Sequence, residues 1–236
     1  MRPLRAKRLH RWDVTIERAL EIQKDLAKRI LLRPLPQRIE LVAGADMCYD
    51  RERELFVAAV VVLSFPQMGV VEEAWSVRDA SFPYVPGLLS FREAPALVDA
   101  FEKLRNRPDV LMLDGQGLAH PRRLGLACHV GLLFGMPSVG CAKSRLVGTA
   151  REPGLRRGCK TLLYDKGEKV GVVLRTRDGV RPVYVSPGHL ADLGTSARLV
   201  LRCSKGYRLP EPTRLADILA ARVKRELAAG ILATPD

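Results

Sequence analysis

The chain is short of several features, and each shortage narrows what it does. Its longest apolar run extends only from Leu55 to Leu63, whereas a helix that crosses a bilayer needs roughly 20 apolar residues. The N-terminus is basic and then amphipathic rather than apolar, so no signal peptide is expected. Five cysteines (Cys48, Cys128, Cys141, Cys159 and Cys203) are odd in number and include no C-x-x-C pair. Neither a disulfide framework nor a zinc site is indicated, and buried free thiols in a reducing cytosol fit better. Internal repeats and low-complexity segments are absent. The expectation is a soluble cytoplasmic protein with no membrane partner. Acidic residues are also scarce, 26 against 39 Lys and Arg, for a formal net charge of +13. Such an excess predicts a polyanionic partner, with nucleic acid ahead of a membrane surface or an acidic protein.

What is present suits one domain of 236 residues, with 47% hydrophobic content and enough material for a sizeable core. Residues 1–12 are mostly basic and read as a mobile arm. Asp13 is a plausible N-cap for a helix that puts Thr15, Ala19, Ile22, Leu26 and Ile30 on one face. The other face carries Arg18, Lys24, Lys28 and Arg29, and Pro34 and Pro36 end the helix, so arm and helix fill residues 1–36. Ile39–Ala45, Leu55–Phe65 and Val70–Val77 are short β-patterned runs joined by tight turns, an antiparallel meander. Ser90 with Glu93 three residues on reads as a capping box for a helix reaching about Arg105. Val110 to Leu113, Leu124–Phe134 and Ser138–Ala142 then form a strand–helix–strand unit, so this half of the sheet is expected to be parallel. Lys160–Tyr164, Lys169–Arg175 and Val180–Val185 look like a small β insertion at about 151–186. A helix over His189–Leu201 and a last one carrying Asp217 complete the chain. The fold class is α/β: a mixed sheet, with a three-stranded antiparallel meander followed by parallel strands, flanked by helices in a single domain over residues 1–236.

The stretch from Val110 to Gly148 concentrates the chemistry. Its strand delivers Asp114 into Gly115 and Gly117 at a carboxyl end, where open α/β sheets place ligands. The topology makes the first and fourth strands neighbours, so Asp46 and Asp114 face each other. Adjacent carboxylates repel unless one takes a proton. Mg²⁺ removes the conflict, because it prefers carboxylate oxygens and keeps waters able to attack a phosphodiester. Glu93 is either a third acid or only the helix cap. Asp217 is either a fourth or an acid favoured by the first-turn helix dipole. Lys143 follows a buried strand at the same edge, where it would neutralise charge on phosphorus; the plainer reading is a surface lysine. His120 either hydrogen-bonds the attacking water or a phosphate, or orients the Ala-His-Pro loop. His129, inside an apolar helix, reads as a packing histidine. The GMPSVGCAKS stretch superficially resembles a P-loop, but Cys141-Ala142 separate Gly140 from Lys143, so ATP is not expected. In Phe82-Pro83-Tyr84-Val85-Pro86-Gly87, prolines at 83 and 86 frame Tyr84, a candidate wedge for a base stack, while Phe82 reads as a plug over the core. Glycines 87, 115 and 117 are candidates to wall a pocket for an extruded base.

Taken together, GADMCYD with Asp46, PYVPGLLSFRE with Tyr84 and Glu93, LMLDGQGLAHPRRLGLACHVG with Asp114 and His120, VGCAKSRLVG with Lys143 and GYRLPEPTRLAD with Asp217 resemble the endonuclease V family. The resemblance runs from about Val42 to Asp217. It implies a ribonuclease H-like fold and a DNA repair endonuclease directed at deaminated bases, chiefly deoxyinosine. It implies cleavage of the second phosphodiester 3′ to the lesion with Mg²⁺, or Mn²⁺ as substitute, leaving 3′-hydroxyl and 5′-phosphate ends and the lesion retained. By matching position, Asp46, Glu93, Asp114 and Asp217 are the implied metal ligands, Lys143 assists at the phosphate, and Tyr84 is the wedge. The expected partner is double- or single-stranded DNA containing deoxyinosine, acted on by a monomer. Inosine-containing RNA is the alternative substrate, and a non-catalytic nucleic-acid-binding protein ranks last because every acid of the set is present.

Overall fold

The computed structural model of the chain describes residues 4–232, and one mixed sheet runs through them. Strands β1 (Leu41–Asp50), β2 (Leu55–Ser64) and β3 (Val70–Asp79) form the antiparallel meander. β4 (Val110–Leu113) and β5 (Ser138–Ala142) join parallel, β4 beside β1 as the topology requires. Both are short and buried along their whole length, the pattern of parallel strands covered on both faces. β6 (Lys160–Asp165), β7 (Glu168–Leu174) and β8 (Val183–Pro187) attach through β8 antiparallel to β5. The order is β3-β2-β1-β4-β5-β8-β7-β6, so the strands after residue 151 lengthen the main sheet.

Side chains alternate across a strand, and the alternation sorts the core into two layers. Ala43, Ala45, Val60, Leu111 and Leu113 face helices α2 (Leu89–Glu102) and α3 (Leu126–Phe134). Val42, Val61, Met112, Cys141 and Val185 face α4 (Leu193–Cys203) and α5 (Glu211–Ala228). Helix α1 (Ile16–Ala27) forms an outer layer, with Ala19, Ile22 and Leu26 against Leu124, Cys128 and Leu132. Each such large side chain contributes about 1.5–3 kcal/mol when fully buried. Gly44 is where α5 meets β1: a Cβ there would stand 2.0 Å from the carbonyl of Pro212. Any side chain at 44 would lift α5, and Asp217 with it, off the sheet.

Several local expectations are corrected. The arm is packed from residue 4 onward: Leu4 is buried, Arg5 pairs with Glu102, and Lys7 N–H donates to the Leu133 carbonyl. Residues 1–3 lie outside the described part. Thr15, not Asp13, caps α1, accepting from the Arg18 N–H. The helix stops at Ala27 rather than at the prolines, because the following chain is recruited elsewhere: the Leu31 carbonyl accepts from Leu190 N–H, and Leu35 N–H donates to Thr195 Oγ1. Ser90 caps nothing; α2 starts at Leu89 without a side-chain cap, and Ser90 Oγ instead meets His129 Nδ1. α4 starts later than expected, capped by Asp192, whose side chain accepts from Thr195 N–H. Among the described residues, no helix is long and apolar enough to cross a membrane.

Candidate active site

The register of β1 with β4 pairs Ala45 with Leu113, which sets Asp46 and Asp114 side by side at the carboxyl end of the parallel strands. Asp114 N–H donates to the Ala45 carbonyl at 2.9 Å, fixing the chain where it leaves β4. β5 ends one residue before Lys143. The Lys143 Nζ lies 2.5 Å from Asp114 Oδ2, 3.4 Å from Asp46 Oδ2 and 3.3 Å from Asp217 Oδ1. Asp217 comes from the α5 helix held down at Gly44. It stands beyond the first turn of that helix, so its place is not a dipole effect. One ammonium therefore draws together three carboxylates from three separate elements.

Electrostatics make this edge restless without a cation. Burial, and then the negative charge of Asp114, push the Asp46 carboxyl well up from its usual range, with Lys143 pulling it back. Burial, then Asp114, raise Glu93 to about 8, against the field of Arg92. Burial opposes the charge on Lys143, but its hydrogen bond to Asp114 and the fields of Asp46, Asp114 and Asp217 win, so it stays firmly protonated. The donor set is all carboxylate oxygen, which suits a hard divalent cation. Lys143 already occupies a cation's position among these acids. Among the described residues, no three His, Cys, Asp or Glu side chains converge closely enough to hold an ion as they stand. The acids fit such a cation chemically.

Glu93, Asp46 and Asp114 open into a cavity of about 480 Å³, walled also by Tyr84, Gly87, Gly115, His120 and Lys143, whereas Asp217 lies outside its wall. That is within the range of sites that enclose a small planar ligand. Tyr84 is 70% exposed at its rim, whereas Phe82 is 5% exposed and packs on Phe91. The framing prolines divide: Pro86 lines the cavity with Gly87, and Pro83 is not part of the wall. Gly115 is in the wall, but Gly117 is not. A Cβ on Gly117 would stand 2.1 Å from the Pro187 carbonyl, so that glycine serves the close approach to β8. His120 accepts from the Arg122 N–H at Nδ1, 3.2 Å, and donates from Nε2 to the Gly87 carbonyl, 3.0 Å. Burial first, then the Arg122 charge, lower it to about 4, so it is a neutral donor that ties two loops together.

Residue-type reasoning overlooked two groups beside the cavity. Gln23 is fully buried on α1, and Arg122 reaches it from the loop after His120. The one available signal was a glutamine next to Ile22 on an otherwise apolar face. His129 is the packing histidine expected of it, wholly buried with His10 Nε2 2.7 Å away.

Comparison with known proteins bears on the whole chain. A family model described as Endonuclease V matches residues 24–218. An Endonuclease V from Roseiflexus is 52% identical over 210 residues, covering 89% of this chain and 94% of its own. The crystal structure of Endonuclease V from Streptomyces avermitilis superposes with a TM-score of 0.88 at 41% identity, covering 96% of this chain and all of that one. A Ciona intestinalis Endonuclease V, 27% identical with a TM-score of 0.80 over 91% of this chain and all of its own, was crystallised with a 23mer DNA containing an inosine followed by a ribo-adenosine.

Proposed function

The chain belongs to the endonuclease V family, and from that premise we propose that it nicks DNA beside deoxyinosine at the second phosphodiester 3′ to the lesion. It is a nuclease of ribonuclease H-like fold and of a metal-dependent family. The observation that carries the substrate reading is the cavity itself. A buried acidic cluster opens into a base-sized space with an exposed tyrosine, Tyr84, at its rim. The relative's complex with inosine-containing DNA supports the same substrate here, and the net charge of +13 supports a polyanion.

In this reading Asp46, Asp114, Glu93 and Asp217 hold a divalent cation, Mg²⁺ with Mn²⁺ as a substitute. When bound, that cation supplies positive charge to the phosphate oxygens and polarises a water. The protein's own groups do the rest. Asp46 and Asp114, fixed by adjacent strands, set the phosphate-side geometry. Glu93, whose ionisation burial disfavours, would carry its negative charge only beside that cation. Lys143 swings from the acids to the non-bridging phosphate oxygens, where its charge follows the developing anion. Water oxygen would bond to phosphorus as the bond to the 3′ oxygen breaks, and that oxygen takes a proton from solvent to leave as the 3′-hydroxyl beside a 5′-phosphate. Tyr84, held by Pro83 and Pro86, fills the gap left by an extruded base, and Gly87 and Gly115 leave room for it. His120 braces the pocket. The chain acts as a monomer, and its free thiols support a reducing cytoplasm.

A ribonucleotide directly after the inosine in the relative's complex favours inosine-containing RNA as the second reading. Cleavage of matched strands, DNA and RNA with and without inosine, followed by mapping of the cut, tests both. The first reading expects a cut in DNA on the 3′ side of the lesion's 3′ neighbour. Equal cutting of normal DNA would overturn it, and a strong preference for RNA would install the second.

A further inference from the structure

The Gly87 carbonyl is the most heavily bonded acceptor beside the cavity. It accepts from Gln23 Nε2 at 2.9 Å, from His120 Nε2 at 3.0 Å and from Arg122 Nη2 at 2.6 Å. These donors come from different places: α1, and two positions of the loop between β4 and α3. Gln23 and Arg122 are also bonded to each other, Arg122 Nε donating to Gln23 Oε1 at 2.5 Å. The amide of Gln23 is thereby fully oriented, its oxygen on the guanidinium and its nitrogen on Gly87, with the Leu124 carbonyl a further 3.4 Å acceptor. Gly87 has φ +79°, a left-handed conformation that favours glycine, and a Cβ there would stand 2.7 Å from Arg122 Nη2. The backbone turn and the donors are matched to each other.

A buried polar side chain such as Gln23 costs stability unless it is bonded. Packing of α1 would be served as well by an apolar residue at that position. What the glutamine adds is a fixed point for the C-terminal end of the loop that carries Tyr84 three residues earlier. We infer that Gln23 and Arg122 are positioning residues which, through the Gly87 carbonyl, set where Tyr84 stands against the cavity and thereby set discrimination for the lesion. The inference rests on the reading of that loop as the recognition element. It makes α1, otherwise an outer packing layer, part of the specificity machinery.

The test uses Gln23→Met, which keeps volume and loses the amide's hydrogen bonds, Arg122→Met, and the double variant, with Ile22→Val as a packing control beside Gln23. Two readouts are taken: amide hydrogen exchange at residues 84–88, and kcat and KM on inosine-containing against normal duplex. A net hydrogen bond is worth about 1 kcal/mol, so each single variant should lower the kcat/KM preference for inosine roughly five- to tenfold. Its kcat at saturating lesion should stay within about twofold, the loss lying in KM. The double variant should lose little more than either single one, because both act on one carbonyl. Exchange at 84–88 should quicken in all three, and Ile22→Val should lower Tm slightly without moving preference or exchange. Unchanged exchange, an unchanged preference despite faster exchange, or fully additive losses would each overturn the inference. If the parent itself showed no preference for inosine, the functional reading would fail, while faster exchange would still show that the anchor holds the loop.

Discussion

The two sides of the cavity are held by opposite physics. On one side, Asp46, Asp114 and Asp217 crowd around a single ammonium, and burial raises Asp46 and Glu93. That side holds more carboxylates than its one lysine pairs with, at the cost of disfavouring their ionisation. On the other side, Gly87 is held by neutral His120, by the Gln23 amide and by Arg122. There every bond is made within the protein. Chemistry needs the first kind of region, which reorganises when charge arrives. Selection needs the second, which stays put so that a wrong base does not fit.

The comparison breaks most sharply at the acids. Asp114→Asn and Asp46→Asn should each lower the single-turnover nicking rate by about 10³-fold, the scale of losing a group that stabilises transition-state charge. In chelator, Asp46→Asn should keep Tm at or above the parent's, since burial and Asp114 disfavour ionisation at that position. Adding Mg²⁺ should raise the parent's Tm by mass action and leave that variant's unchanged. A Tm that rises equally in both would place the ion elsewhere.

Next in size is Tyr84→Ala. Stacking of a base on an aromatic is worth about 1–3 kcal/mol, so preference for inosine should fall by about tenfold or more. Because Tyr84 is 70% exposed, Tm should barely move. A Tm loss of many degrees would mean that Tyr84 is a core residue rather than a wedge.

The smallest effect concerns pH, at a site belonging to neither side. His10 Nδ1 donates to the Arg11 carbonyl, which leaves its Nε2 to accept from His129, while His129 Nδ1 accepts from Ser90. Burial lowers His10, against its hydrogen bond to the Arg11 carbonyl. Burial, then the neighbouring His10, lower His129 to about 3, from an ordinary value of 6.5. A folded pKa below the unfolded one means that the unfolded chain binds more protons between these values. Stability present above pH 6.5 is therefore lost as pH falls toward 3. Tm of the parent should decline over that window by a few degrees more than Tm of His129→Gln. Parallel curves would remove His129 from the account.

Much of this was legible in residues alone, for reasons that can be named. The three strand-like runs joined by tight turns in β1 to β3 and the strand–helix–strand unit around α3 pointed to the topology, and with it to the pairing of Asp46 with Asp114. Asp217 was misplaced on its helix because Pro210 as N-cap moves the start back to Glu211. Ser90 looked like a cap because spacing alone does not reveal that His129, 39 residues on, competes for its hydroxyl. Basic composition suggested a mobile arm, yet Leu4 is buried and the half-buried His10 packs on Phe91 of α2 and His129 of α3. Gln23 and Arg122 stayed hidden because their common partner is a backbone carbonyl, which no residue type marks.

The claim that cutting and selecting are held by separate regions has one direct test. Binding of inosine-containing and normal duplex to Asp114→Asn is measured in chelator beside the parent. The account predicts a variant that no longer cuts but keeps the parent's binding preference for inosine within about twofold, as expected if the two sides share no partners and act independently. Loss of the preference together with cleavage would contradict it.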